Sequence, residues 1–83
     1  MKLYFLTYDL RNRRDYQVLY DELKRLNAVR ILESTWCLKL SQNTTSESVR
    51  NHFKNYIDHD DAIIVSQVTD WASYNTDGHP NQL

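Results

Sequence analysis

Leu3-Tyr-Phe-Leu-Thr-Tyr-Asp-Leu10 is rich in aromatic and branched side chains and is apolar on both of its alternating faces. That pattern predicts a central β-strand, flanked by neighbours in its sheet and covered on both faces. The segments after it must supply those neighbours. Asn12 is a helix N-cap candidate with Asp15 three residues on, in a capping-box-like arrangement. Tyr16, Leu19, Tyr20, Leu23 and Leu26 recur at helical spacing, which predicts an amphipathic helix from Arg13 to about Leu26.

Ala28 to Leu40 is a strand-like stretch. Arg30, Leu32, Ser34, Trp36, Leu38 and Leu40 alternate with Val29, Ile31, Glu33, Thr35 and Cys37. It is too long for an ordinary strand. Either it bends at a bulge or it turns back near Glu33–Thr35, without the Gly or Asn that a tight turn prefers; the sequence leaves both open. Thr44 and Glu47 offer a capping box for a second helix with the stripe Val49, Phe53, Tyr56 and Ile57. Ala62 to Val68 reads as a further buried strand. The order fits an α+β, ferredoxin-like β-α-β-β-α-β fold, an antiparallel sheet with both helices on one face. The expected domain spans 1–74, and 75–83, with the chain's one Gly and one Pro, is expected to be a flexible polar tail.

Eighty-three residues suffice for one domain with a thin core, which favours self-association. The single cysteine excludes an internal disulfide and a cysteine zinc cluster, and points to a reducing, cytoplasmic compartment. No long apolar segment suggests a membrane span or secretory leader. The net charge of −1 is unevenly placed: residues 1–57 carry all ten Lys and Arg against six acids, and residues 58–83 carry five acids and no base. A basic body suits contact with nucleic acid.

Chemistry concentrates in Tyr8-Asp9-Leu10-Arg11-Asn12-Arg13-Arg14. Asp9 falls at the C-terminal end of the central strand, on one face with Leu3, Phe5 and Thr7. A carboxylate beside apolar surface calls for a hydrogen-bonded structural role or a bound cation. Arg13 and Arg14 fall in the first turn of a helix, where positive charge opposes the macrodipole. A carboxylate able to hold Mg²⁺ beside guanidinium groups able to hold phosphate is the minimal equipment for metal-assisted phosphodiester hydrolysis. One carboxylate is few for such a site, and a two-fold axis near the strand end would supply a second copy of Asp9. The competing reading has Asp9 capping a turn among solvated arginines.

The remaining candidates are weaker. Trp36, on one face with Arg30 and Ser34, is expected in the core rather than stacked on a base. Cys37 is expected to be a buried thiol, His52 and His59 are expected at the surface, and His79 belongs to the tail. Asp58, Asp60 and Asp61 match no calcium loop and read as a solvated helix exit. A single glycine excludes a phosphate-cradling glycine loop.

A first strand ending in Tyr8-Asp9, an arginine-bearing loop, the helix over Tyr16–Leu26 and then Arg30-Ile-Leu-Glu-Ser-Thr-Trp36 together resemble a known family. It is that of the small CRISPR-associated endoribonuclease, the non-integrase subunit of spacer acquisition, and the related virulence-associated protein D ribonucleases. The likeness covers roughly residues 1–70. It implies a ferredoxin-like homodimer that acts as a Mg²⁺-dependent nuclease (Mn²⁺ as the substitute ion) on RNA or DNA, or else serves as a catalytically silent nucleic-acid-binding scaffold. The resemblance makes Asp9 the catalytic and metal-binding residue. It puts Tyr8, Arg11, Arg13, Arg14, Arg30 and Ser34 against nucleic acid. Trp36-Cys37-Leu38 stands where the family usually continues Phe-Glu-Gly, and Trp71 and Tyr74 fall where members lay an extra strand on the partner subunit.

Overall fold

The computed structural model describes residues 1–11 and 16–83. The expectations for Asn12, Arg13, Arg14 and Asp15 lie outside the described residues. The elements are β1 (Lys2–Asp9), α1 (Tyr16–Arg25), β2 (Val29–Leu32), β3 (Thr35–Leu40), α2 (Ser46–Phe53) and β4 (Ala62–Val68). They form a four-stranded antiparallel sheet in the order β2-β3-β1-β4, the ferredoxin-like arrangement. β1 is central, with Leu6 opposite Trp36 of β3 and Val65 of β4.

The core lies on one face of the sheet. Tyr4, Leu6 and Tyr8 of β1 and Trp36 and Leu38 of β3 are buried with Leu19 and Leu23 of α1 and Val49 and Phe53 of α2. The opposite face of β1 is only partly covered, short of what its apolar pattern predicts: Leu3 and Phe5 are half-buried and Thr7 is exposed, while Cys37 of β3, paired with Phe5, is buried. Both helices pack on the other side.

The chain has one glycine, and among the described residues the left-handed backbone positions fall to asparagine, at Asn27 and Asn75. Asn27 has φ 61° and closes α1. The Ala28 N–H donates to the Leu23 carbonyl and the Asn27 N–H to the Lys24 carbonyl, both at 2.9 Å, the Schellman pattern that satisfies the last helical carbonyls. The second helix starts one residue later than its predicted capping box. Thr45 is the N-cap and exchanges bonds with Ser48. Thr44 instead donates its hydroxyl to the Ser41 carbonyl, and its oxygen lies 3.0 Å from the Tyr4 hydroxyl.

The open question over residues 28–40 resolves as a hairpin. Leu32 pairs with Thr35 around Glu33 and Ser34, and the register shifts between Arg30 and Leu32. Two-residue hairpin turns usually need positive φ to match strand twist. Neither Glu33 nor Ser34 has it, so the irregularity at Ile31 takes up the mismatch.

Residues 75–83 run beside β2. The Asp77 N–H donates to the Ile31 carbonyl at 2.9 Å, Gly78 and Pro80 are buried, and Pro80–Gln82 forms a short 3₁₀ turn. Among the described residues, no helix is long and apolar enough to cross a membrane.

Candidate functional site

Asp9 ends β1 opposite Ala62, so its carboxylate emerges at the rim of the sheet. Arg11 lies 3.3 Å away through Nε, and both side chains face water, at 60% exposure for Arg11 and 70% for Asp9. An ion pair this solvated contributes little to stability and leaves the carboxylate accessible. The Arg11 backbone N–H donates to Asp61 Oδ1 at 2.9 Å, which ties the turn after β1 to the loop before β4.

Beside Asp9 the rim is concave. A space of about 190 Å³ is lined by Tyr8 and Asp9 of β1, Tyr16 and Tyr20 of α1, Arg30 of β2 and Ser34 of the hairpin turn, among others. Its floor is a directed hydrogen-bond chain. Arg30 Nη2 donates to the Tyr20 hydroxyl at 3.4 Å, and the Tyr8 hydroxyl donates to the Glu33 carbonyl at 3.1 Å. The two hydroxyls lie 2.9 Å apart, so Tyr20 donates to Tyr8. Arg30 Nε and Nη2 also donate to the Glu33 carbonyl. That one carbonyl gathers Tyr8 and Arg30, which holds the turn from inside without a left-handed residue. The Tyr8 N–H adds a 3.1 Å bond to the Ser34 carbonyl.

The electrostatics give these groups definite roles. Burial, and then the bond with Tyr20, pushes the Tyr8 phenol up to about 12. Tyr8 therefore stays a proton donor at neutral pH and cannot serve as a base. The Trp36 indole Nε1 is buried and closes no hydrogen bond, though it lies near enough to Tyr8 to favour the phenolate slightly. Arg30 also sits 5.2 Å from the centre of the Tyr20 ring, a cation–π contact that orients it further.

The structure thus brings together Tyr8, Asp9, Arg11, Arg30 and Ser34, while Arg13 and Arg14 lie outside the described residues. Sequence reading had placed Tyr16 and Tyr20 simply on the apolar stripe of a helix. The signal that could have singled them out is the i, i+4 pair of tyrosines, whose hydroxyls need partners. Asp61 was also missed, because its approach to Arg11 depends on strand pairing between segments 50 residues apart. Asp58, Asp60 and Asp61 bring one carboxylate oxygen each to within 4.8 Å of one another, a group that could hold a cation at this same rim. Trp36 and Cys37 are buried as expected, and burial pushes the Cys37 thiol up, which keeps it unreactive.

His52, expected at the surface, is half-buried and also reaches a buried partner. Its Nε2 reaches Oε2 of Glu22, a carboxylate only 5% exposed. Arg25 clamps the same carboxylate through Nε at 2.8 Å and Nη2 at 2.7 Å. The Arg25 bond, with help from His52, holds Glu22 down at about 2, against the opposing effect of burial.

The fold and rim define a class: a small ferredoxin-like domain whose polar site gathers at the C-terminal end of its first strand. A family model described as CRISPR associated protein Cas2 matches residues 1–76. The chain belongs to that CRISPR-associated family. No solved structure matches it.

Proposed function

We propose that this protein is a homodimeric, Mg²⁺-dependent nuclease that cuts phosphodiester bonds in RNA or DNA at the Asp9 rim, in the cytoplasm. The observation that carries the reading is the placement of Asp9: a strand-end carboxylate, open to solvent, against the Arg11 guanidinium and lining one hollow with Arg30. Mg²⁺ keeps several waters and binds through one or two carboxylates plus substrate phosphates, and the two copies of Asp9 in a dimer would supply that pair. Bound there, the ion would lower the pKa of a coordinated water and offset charge on the phosphate.

The chain's own groups do the rest. Asp9 holds the ion, and Arg11, with Arg13 and Arg14 following it, grips the backbone. Arg30 and Ser34 bracket the strand, and Tyr8 keeps Arg30 and the turn in register. The half-buried Leu3 and Phe5, with exposed Ile64, form an apolar strip on the less covered part of that sheet face, which suits a second copy and would bring two Asp9 rims together.

The test is cleavage of labelled single-stranded RNA and duplex DNA by wild type and Asp9→Asn, with Mg²⁺ and with EDTA, on protein of known oligomeric state. Metal-dependent cutting that disappears in Asp9→Asn supports the reading. Intact substrate under every condition, with salt-sensitive retention on a gel, replaces it with a non-catalytic bridging dimer that uses the same basic surface.

A further inference from the structure

The pocket beside Asp9 has more aromatic wall than a phosphate grip requires. Tyr20 is enclosed, in ring contact with Tyr8 at 6.1 Å and Trp36 at 5.5 Å and approached by Arg30. Tyr16 differs. It lies one helical turn earlier, 43% exposed, and among the described residues its ring neighbour is Tyr20, tilted by 36° at 6.2 Å. A large ring at the mouth of a polar hollow leaves a π-face open to a ligand.

The polar side is fixed as well. Arg30 is held by the Glu33 carbonyl and Tyr20 through Nε and Nη2, and Nη1 enters neither bond. A guanidinium held this way presents its remaining donors in one orientation, suited to an acceptor edge. The space, about 190 Å³, is below the roughly 300–1,000 Å³ of drug-sized sites, so it takes one planar ring system rather than a larger ligand.

We propose that this pocket receives one unpaired nucleobase, stacked on Tyr16 with its acceptor edge toward Arg30, so that the strand at the Asp9 site is single-stranded next to the reacting phosphate. The inference rests on the nucleic-acid reading above and names the form of its substrate. A base within a duplex has both faces stacked and its pairing edge occupied, so a duplex enters only by extruding a base.

The test measures equilibrium binding in EDTA, where no cutting can occur, by anisotropy of labelled five-nucleotide strands. Each RNA or DNA strand is compared with its fully abasic counterpart, which has the same charge, for wild type, Tyr16→Ala and Tyr16→Phe. Wild type and Tyr16→Phe are expected to prefer the strand with bases by about tenfold, and Tyr16→Ala to lose that preference while still binding the backbone. A preference unchanged in Tyr16→Ala, or no preference in wild type, overturns the pocket. Tyr16→Phe, which keeps the ring and the helix, separates loss of stacking from loss of fold. If wild type shows the preference but never cuts with Mg²⁺, the nuclease reading falls and the pocket stands. If it cuts but shows no preference, the pocket alone falls. Absence of any binding at low salt removes both.

Discussion

Two of the protein's carboxylate–arginine pairs are built in opposite ways. At the rim, Asp9 and Arg11 meet through one 3.3 Å contact with both side chains largely in water. Further along α1, Glu22 is buried, clamped by two bonds from Arg25 and approached by His52. Water weakens the first pair to near nothing, whereas exclusion of water on the Glu22 side makes the second a structural joint between α1 and α2. A carboxylate committed to its own fold is not available to a ligand; a carboxylate held loosely is. The contrast gives Glu22 to stability and leaves Asp9 available for the role proposed for it.

The largest effect expected from that contrast is on activity. Asp9→Asn should lower metal-dependent cleavage by on the order of 10²–10³-fold or more, while its urea-unfolding free energy stays within about 0.5 kcal/mol of wild type. A variant that cuts normally, or one that unfolds, breaks the division at its stronger end.

The converse variant is Glu22→Gln. It should cut at the wild-type rate and lose about 1–3 kcal/mol of stability at pH 7, a modest figure because the Arg25 side chain is 64% exposed and can return to water. The pH dependence has a definite sign. Glu22 is held down at about 2 in the folded protein against an ordinary value of 4.5. Its stabilisation is therefore complete above about pH 4.5 and is lost as pH falls toward 2. Urea titrations between those limits should show a steeper loss of stability in wild type than in Glu22→Gln. Parallel curves would mean that Glu22 is not ionised and clamped in the native state.

How much of this was legible depended on whether the cause was local. Strand β1 and the Val49–Phe53 stripe of α2 follow from side-chain period, and Asp9 at a strand end follows from the first of these. The half-covered face of β1 was misread as fully covered because residues at that face, Leu3 and Phe5, are apolar whether this chain or a second copy covers them. The hairpin at Glu33–Ser34 could not be chosen over a bend, since its support comes from Tyr8 and Arg30, far apart in the chain from each other. The Glu22–His52 contact joins two helices 30 residues apart, and nothing in either helix alone announces it. Local pattern revealed the elements and the carboxylate; the partners needed the fold.

The C-terminal segment extends the comparison to the backbone. A Cβ added at Gly78 would lie 2.7 Å from the Arg30 carbonyl oxygen and 2.9 Å from Val29 Cγ1. The carbonyl belongs to β2 and cannot swing aside. Gly78→Ala should therefore lift residues 77–80 from β2 and speed hydrogen exchange at the Asp77 amide by about tenfold, equivalent to about 1.4 kcal/mol of local stability. Exchange at the Asp77 amide that is already fast in wild type would instead restore the flexible tail its composition suggests.

The smallest effect tests the comparison where it is most exposed to failure. Arg11→Ala removes an exposed partner of Asp9 and no buried contact, so the unfolding free energy should be unchanged within about 0.5 kcal/mol and the m-value unaltered. The backbone N–H of residue 11 remains to hold Asp61, so the turn keeps its tie to the loop before β4. Affinity for a nucleic-acid backbone should fall, and the salt dependence of binding should shrink by about one released counterion. If Arg11→Ala instead costs more than 1 kcal/mol of stability, the Asp9 pair is a structural joint like that of Glu22. Asp9 would then not be free for a metal, and the case for catalysis at Asp9 would have to give way to the bridging dimer.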